Sequence, residues 1–145
     1  MDELNIEILL NNVDISILKN ADGICSLRLS NAFQSTLGKL CGVSVTSRFI
    51  IIRTESNTDA DNSINVHRAI TVCNMDDKSV WSIEDAIEKS VDLTDGFLCM
   101  DKHKQLFPDI EFHADHDYYI CFDWIGMRYL IDLNDKRVLR IDFTK

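Results

Sequence analysis

Leu4, Ile6, Ile8 and Leu10 alternate with polar residues such as Asn5 and Glu7, and Val13, Ile15 and Ile17 alternate with Asp14 and Ser16. A period of two puts the apolar side chains of each run on one face, which predicts two strands. Asn11-Asn12 supplies the tight turn of an opening β-hairpin, because Asn tolerates positive φ. Asn20-Ala21-Asp22-Gly23 is a second turn signal, and Ile24 to Leu29 reads as a third strand. The period then changes. Phe33, Leu37, Leu40 and Cys41 stand at i, i+4, i+7 and i+8. With Asn31 and Gln34 as a capping box and Gly42 as the left-handed terminal residue, this spacing predicts a short helix over about 31–41.

Val43 to Arg53 and Ile64 to Cys73 are rich in β-branched residues and read as strands. Between them Thr54 to Ser63 has no apolar residue except Ala60 and reads as a mobile hairpin loop. Ser82 begins a second helix, with Ile83, Ala86, Ile87 and Val91 as its apolar stripe and Ser82 with Asp85 as a capping box. Asp95-Gly96 would end that segment. Phe97 to Met100 fits either a strand or a helical turn, and Pro108 disfavours helix at Phe107. Tyr118 to Ile125 and Arg128 to Leu133 alternate, Gly126 and Asn134-Asp135 allow turns, and Val138, Ile141 and Phe143 close a C-terminal β-meander. The expected fold is α+β, a mainly antiparallel sheet of about seven to nine strands with two short helices, as one domain over residues 1–145.

The chain has 145 residues, 46% of them apolar, with one proline and five glycines, which excludes a disordered tail or a linker protein. Its net charge of −9 opposes binding to nucleic acid or an anionic membrane and favours a neutral or basic partner. The acidity is local. Asp76 to Asp123 holds thirteen acidic and four basic residues, whereas 124–145 holds three acidic and five basic ones. On the second helix Glu84, Glu88 and Asp92 would place three carboxylates along one exposed edge, where like charges cost roughly 0.2–0.5 kcal/mol per pair. One explanation is local: Glu84 and Asp85 suit the positive end of the helix dipole, and Asp85 pairs with Lys89 on a solvated face. The other is a surface for a basic partner, since the acidity runs on through Asp76, Asp77, Asp95, Asp115 and Asp117. Trp81, Tyr119 and Trp124 would be its aromatic anchors. Phe97, Phe107 and one of Tyr118 or Tyr119 are expected in the core.

His103, His113 and His116 fall beside Asp109, Asp115 and Asp117, a residue set able to ligate a divalent ion. The segment reads more simply as a polar surface loop, so no metal and no cofactor is expected. His67 is most simply a strand histidine. The glycines are scattered, with no phosphate-cradling loop and no Gly-x-Ser-x-Gly, so the sequence predicts no enzyme. Five cysteines without a Cys-x-x-Cys fit free thiols in a reducing cytoplasm. The acidic start, Met1-Asp2-Glu3, lacks the positive charge of a signal peptide, and no apolar run approaches the roughly 20 residues of a membrane span.

The terminal stretch DYYICFDWIGMRYLIDLNDKRVLRIDF, Asp117 to Phe143, together with small size and acidity, resembles the immunity proteins of bacterial contact-dependent inhibition and related polymorphic toxin systems. That group shares no binding signature, so the resemblance transfers a role and no residue. It implies neutralisation of a cognate toxin domain, often a basic nuclease, by one-to-one binding. A different class also fits the charge: a phage or mobile-element protein that imitates nucleic acid and blocks a host DNA-binding protein.

Overall fold

The computed structural model describes residues 7–11, 14–30, 34–57 and 66–143. Within them the chain forms β1 (Glu7–Asn11), β2 (Ile15–Lys19), β3 (Ile24–Leu29), β4 (Gln34–Val45), β5 (Phe49–Asn57), β6 (Val66–Asn74) and β7 (Val80–Ser82). Helix α1 (Ile83–Ile87), β8 (Leu93–Leu98), α2 (Asp101–Lys104), β9 (Tyr118–Asp123), β10 (Met127–Asp132) and β11 (Arg137–Phe143) follow. Strands β1 to β7 form one sheet in chain order, and β11-β10-β9-β8 form a second. Every pairing is antiparallel. The expected α+β, mainly antiparallel architecture is what the chain adopts, with eleven strands in two sheets among the described residues where one sheet of about seven to nine was expected, and with two short helices of which only α1 lies where a helix was predicted.

The opening hairpin pairs Ile8 with Leu18 and Asn11 with Ser16. At the next turn Asn20 Oδ1 accepts the N–H groups of Asp22 (2.9 Å) and Ile24 (3.0 Å), while Gly23 takes φ 84°. This is the self-bonding by which Asn competes with regular structure and makes a turn.

The helix expected over 31–41 is instead part of β4, which pairs with β3 on one side and β5 on the other. Asn31 and Phe33 lie outside the described residues. Two glycines and the β-branched Thr36, Val43 and Val45 weaken helix, and two ladders of hydrogen bonds outweigh the four apolar positions that imitated a helical stripe. Leu37 is the extra residue of a bulge against β3, where Cys25 pairs with Gly38 and Ser26 with Thr36, so the period-two pattern shifts by one between Leu37 and Gly38 and puts Leu37 and Leu40 on one face, which hides the strand in the sequence. Gly38 sits at φ 132°, where a Cβ would lie 2.8 Å from the Glu55 carbonyl oxygen. Val43 to Arg53 is two strands, split by a turn at 46–48. Thr54 to Asn57, expected in a loop, continue β5, and residues 58–65 lie outside the described set.

Strand β5 is buried on both faces. Ile50 and Ile52 meet Ile15 and Ile17 of β2, Cys25 and Leu27 of β3, and Cys73 of β6. Phe49 and Ile51, on the opposite face, meet Val72, Trp81, Tyr119, Cys121, Tyr129 and Ile131. The first sheet therefore bends at β4, so that β2 and β3 cover one face of β5 and β6 while the second sheet covers the other. On the outer face of the second sheet Tyr118, Ile120 and Leu130 are covered by Phe107, with Ile110 and Phe112 beside it. Each fully buried Ile or Phe contributes about 1.5–3 kcal/mol, so the three clusters hold the layers together. Among the described residues no helix is long and apolar enough to cross a membrane.

Candidate binding surface

Helix α1 begins as its sequence predicts. Ser82 Oγ accepts the Glu84 N–H, and the Asp85 carboxylate accepts the Ser82 N–H, both at 3.2 Å. It ends after five residues, because Glu88 turns left-handed at φ 67° and donates its N–H to the Glu84 carbonyl. Glu84, Glu88 and Asp92 are therefore not a stripe along one helix. Glu84 bonds His67. Asp92 accepts the Arg68 backbone N–H at 2.9 Å and its Nη1 at 3.1 Å. Asp95 lies in β8, 3.4 Å from Arg53, and its carboxylate takes the Gly96 N–H. The acids expected to face a partner here are largely satisfied within the fold, and among them Glu88 is exposed without such a role.

Two of the three expected aromatic anchors are core residues. Trp81 is 9% exposed and Tyr119 0%, both in the cluster between the sheets. Their alternation in β7 and β9 gave the face, and the charge around them in sequence pointed the wrong way. Tyr118 and Phe107 are also buried, as expected of core aromatics, and Phe97 is half-buried. Trp124 is 72% exposed at the β9–β10 turn, beside Ile125. That turn is held by Asp123, whose carboxylate accepts the N–H groups of Ile125 and Met127 and the Tyr129 hydroxyl.

At the other end of β9, about 17 Å away at 3.3 Å per residue, four turns are laced together. Thr46 Oγ1 accepts the N–H groups of Arg48 (3.0 Å) and Phe49 (2.8 Å) and donates to Asp117 Oδ2 (2.9 Å). The Met75 N–H donates to the Arg48 carbonyl, and Asn74 Oδ1 accepts the N–H groups of Asp76 and Asp77. The Asp117 N–H donates to Asn134 Oδ1, and the Leu133 N–H donates back to the Asp117 carbonyl. This lacing brings Asp76, Asp77, Asp115 and Asp135 to one end of the molecule. All four are exposed, and none makes an ion pair among the described residues. Hydrogen bonds from Ser79, with Lys136 nearby, hold the Asp77 carboxyl below its ordinary range, so it stays ionised. Asp135 was missed by sequence reasoning because it sits in the basic C-terminal window.

The three loop histidines do not form one cluster. His103 Nδ1 accepts the Met100 N–H at 3.3 Å and its ring packs against Phe97. Asp109 is bonded to Arg140. His113 and His116 do stand together, ring centroids 5.0 Å apart. His116 Nδ1 lies 2.9 Å from Oδ2 of Asp132, a residue only 2% exposed, whose Oδ1 accepts the N–H groups of Asn134 and Asp135. The bond to Asp132, with the charges of Asp132, Asp135 and Asp115, holds the imidazole above its ordinary pKa against the opposing effect of burial.

A recess of about 200 Å³ beside His116 is lined by Thr46, Cys99, Lys104, Asp117 and Tyr118 among others. Burial raises the Cys99 thiol, so it offers little thiolate. All five cysteines are free, and burial pushes Cys73 up to about 11 and Cys121 up to about 12. Comparison with family models, with curated proteins and with solved structures finds no match to this chain.

Proposed function

We propose that this chain is a non-enzymatic, cytoplasmic inhibitor of the immunity type, which binds a cognate basic toxin domain through the end carrying Asp76, Asp77, Asp115 and Asp135. The carrying observation is that these four carboxylates gather at one end without ion pairs, in contrast to five acids elsewhere in the fold. Glu84, Asp92, Asp95, Asp109 and Asp142 are each matched by a cationic or histidine partner in the fold. The four at the turn end keep their charge available to an outside partner. Their turns are tied by hydrogen bonds, so little ordering is left to do on binding. A predominantly acidic end, with Lys136 as the cation near Asp77, attracts a basic partner and speeds association by up to about 10–10³-fold, and like-charged nucleic acid is repelled.

Trp124 and Ile125 lie a strand length away and serve as a separate apolar contact for a partner that reaches along β9. The five free thiols support a reducing compartment. Co-expression with the domain encoded immediately upstream tests the reading. A one-to-one complex, and toxicity of that domain only when this protein is absent, supports it. Absence of both, or competition by duplex DNA for several unrelated basic proteins, removes it.

A further inference from the structure

We propose that His116, Asp132 and Asp135, with His113 as a fourth donor, form a binding site for a divalent first-row cation of the zinc type. One ligand atom from each of His116, Asp132 and Asp135 lies within 4.8 Å of the other two. Donors around a tetrahedral zinc stand about 3.4 Å apart, given bonds near 2.0–2.1 Å. His116 Nδ1 and Asp132 Oδ2 are already 2.9 Å apart, and Asp135 is exposed and free to turn its carboxylate inward. The His113 ring is exposed beside that of His116 and stands outside the group of three, so rotation of its side chain would bring a nitrogen in to complete a set of two imidazoles and two carboxylates. Mixed nitrogen and oxygen donors of this kind suit zinc and its first-row neighbours better than magnesium or calcium.

A simple His–Asp pair accounts for two members of the group, and Asp135, one of the carboxylates of the acidic end, stands within reach as a third. Asp132 already neutralises His116, so the Asp135 carboxylate adds a second negative charge beside a buried one. That repulsion is relieved by a cation between them. The surroundings also hold the ligands in place, since Asp132 Oδ1 is fixed by two backbone N–H groups and the 113–117 and 133–136 segments are tied at Asp117. On binding, the ion replaces the hydrogen bond between His116 and Asp132, and the imidazole proton leaves to solvent.

The test is calorimetric titration of chelator-treated protein with zinc chloride, with metal analysis after gel filtration and thermal melts with and without zinc. The expected result is one equivalent of zinc and a raised melting midpoint. Asp135→Asn and His113→Gln, both at exposed positions, should each weaken zinc more than about tenfold while leaving the zinc-free melt unchanged. His103→Gln should bind as the parent does. Failure to take up one equivalent, equal affinity in Asp135→Asn, or loss of binding in His103→Gln would each overturn the site. Asp76→Lys with Asp77→Lys should leave zinc binding in place, which distinguishes this site from the partner surface at Asp76 and Asp77, Asp135 being common to both.

Discussion

Replacing Thr46 with valine keeps the β-branched shape and removes one oxygen that serves three hydrogen bonds. The bond to Asp117 is charge-assisted and half-buried, and such bonds contribute about 1.5 kcal/mol at the low end of their range. The Phe49 N–H, on a residue 1% exposed, loses its side-chain acceptor at a cost of about 1 kcal/mol, while the Arg48 N–H can turn to water. The expected destabilisation is about 2–3 kcal/mol, or roughly 4–12 °C in melting midpoint for a domain of this size. Urea unfolding and thermal melts of Thr46→Val measure it directly. A double-mutant cycle with Asp117→Ala isolates the side-chain bond and should give a coupling of about 1 kcal/mol. Destabilisation below about 0.5 kcal/mol, or no coupling, would refute the claim that this bond ties the two sheets at the acidic end. The pre-organisation argued for that end would then fall with it.

Gly96→Ala would place a Cβ 2.5 Å from Tyr119 Cε2 and 2.6 Å from its hydroxyl, against a side chain that is fully buried, so urea unfolding should show a loss of about 1–3 kcal/mol. Thiol labelling of the native protein should modify Cys41 first, the one exposed cysteine, and Cys25, Cys73 and Cys121 only on unfolding; early loss of Cys121 would contradict its place between the sheets. Arg128 holds Asp142 by two hydrogen bonds, at 2.8 and 2.6 Å, and keeps its carboxyl below the ordinary range. The stability this pair contributes is present above about pH 4 and is lost as pH falls through the lowered pKa. Asp142→Asn should therefore flatten the acid limb of the stability curve, and an unchanged limb would show the pair to be energetically silent.

Sequence was most readable where one residue decides one local geometry. Asn20 and Gly23 made the turn they predict, Ser82 and Asp85 made the capping box, and the alternation from Tyr118 to Phe143 gave three paired strands. It failed at β4, where Leu37, Leu40 and Cys41 imitate a helical stripe because a bulge at Leu37 shifts the strand pattern. It also failed for α1, since the left-handed turn at Glu88 carries no glycine to announce it. The acidic surface was half legible. Asp76, Asp77 and Asp115 could be named as exposed acids, but their union with Asp135 depends on hydrogen bonds between segments far apart in sequence. Which acids are already paired, as Asp92 is by Arg68 and Asp95 by Arg53, is likewise a product of tertiary packing. Trp81 and Tyr119 show the converse, aromatic side chains in an acidic stretch that the sheets simply bury.

The turn end, and not the α1 region, is the proposed meeting place with the partner. Affinity for the co-purified partner, measured for the parent, for Asp76→Lys with Asp77→Lys and Asp115→Lys, and for Glu88→Lys, across a range of salt, tests it most directly. The turn-end triple variant should melt as the parent does, bind at least about tenfold more weakly through slower association, and show a flatter salt dependence, while Glu88→Lys binds nearly as the parent. Equal affinity of the triple variant, or a loss confined to Glu88→Lys, would contradict the account and move the interface away from this end.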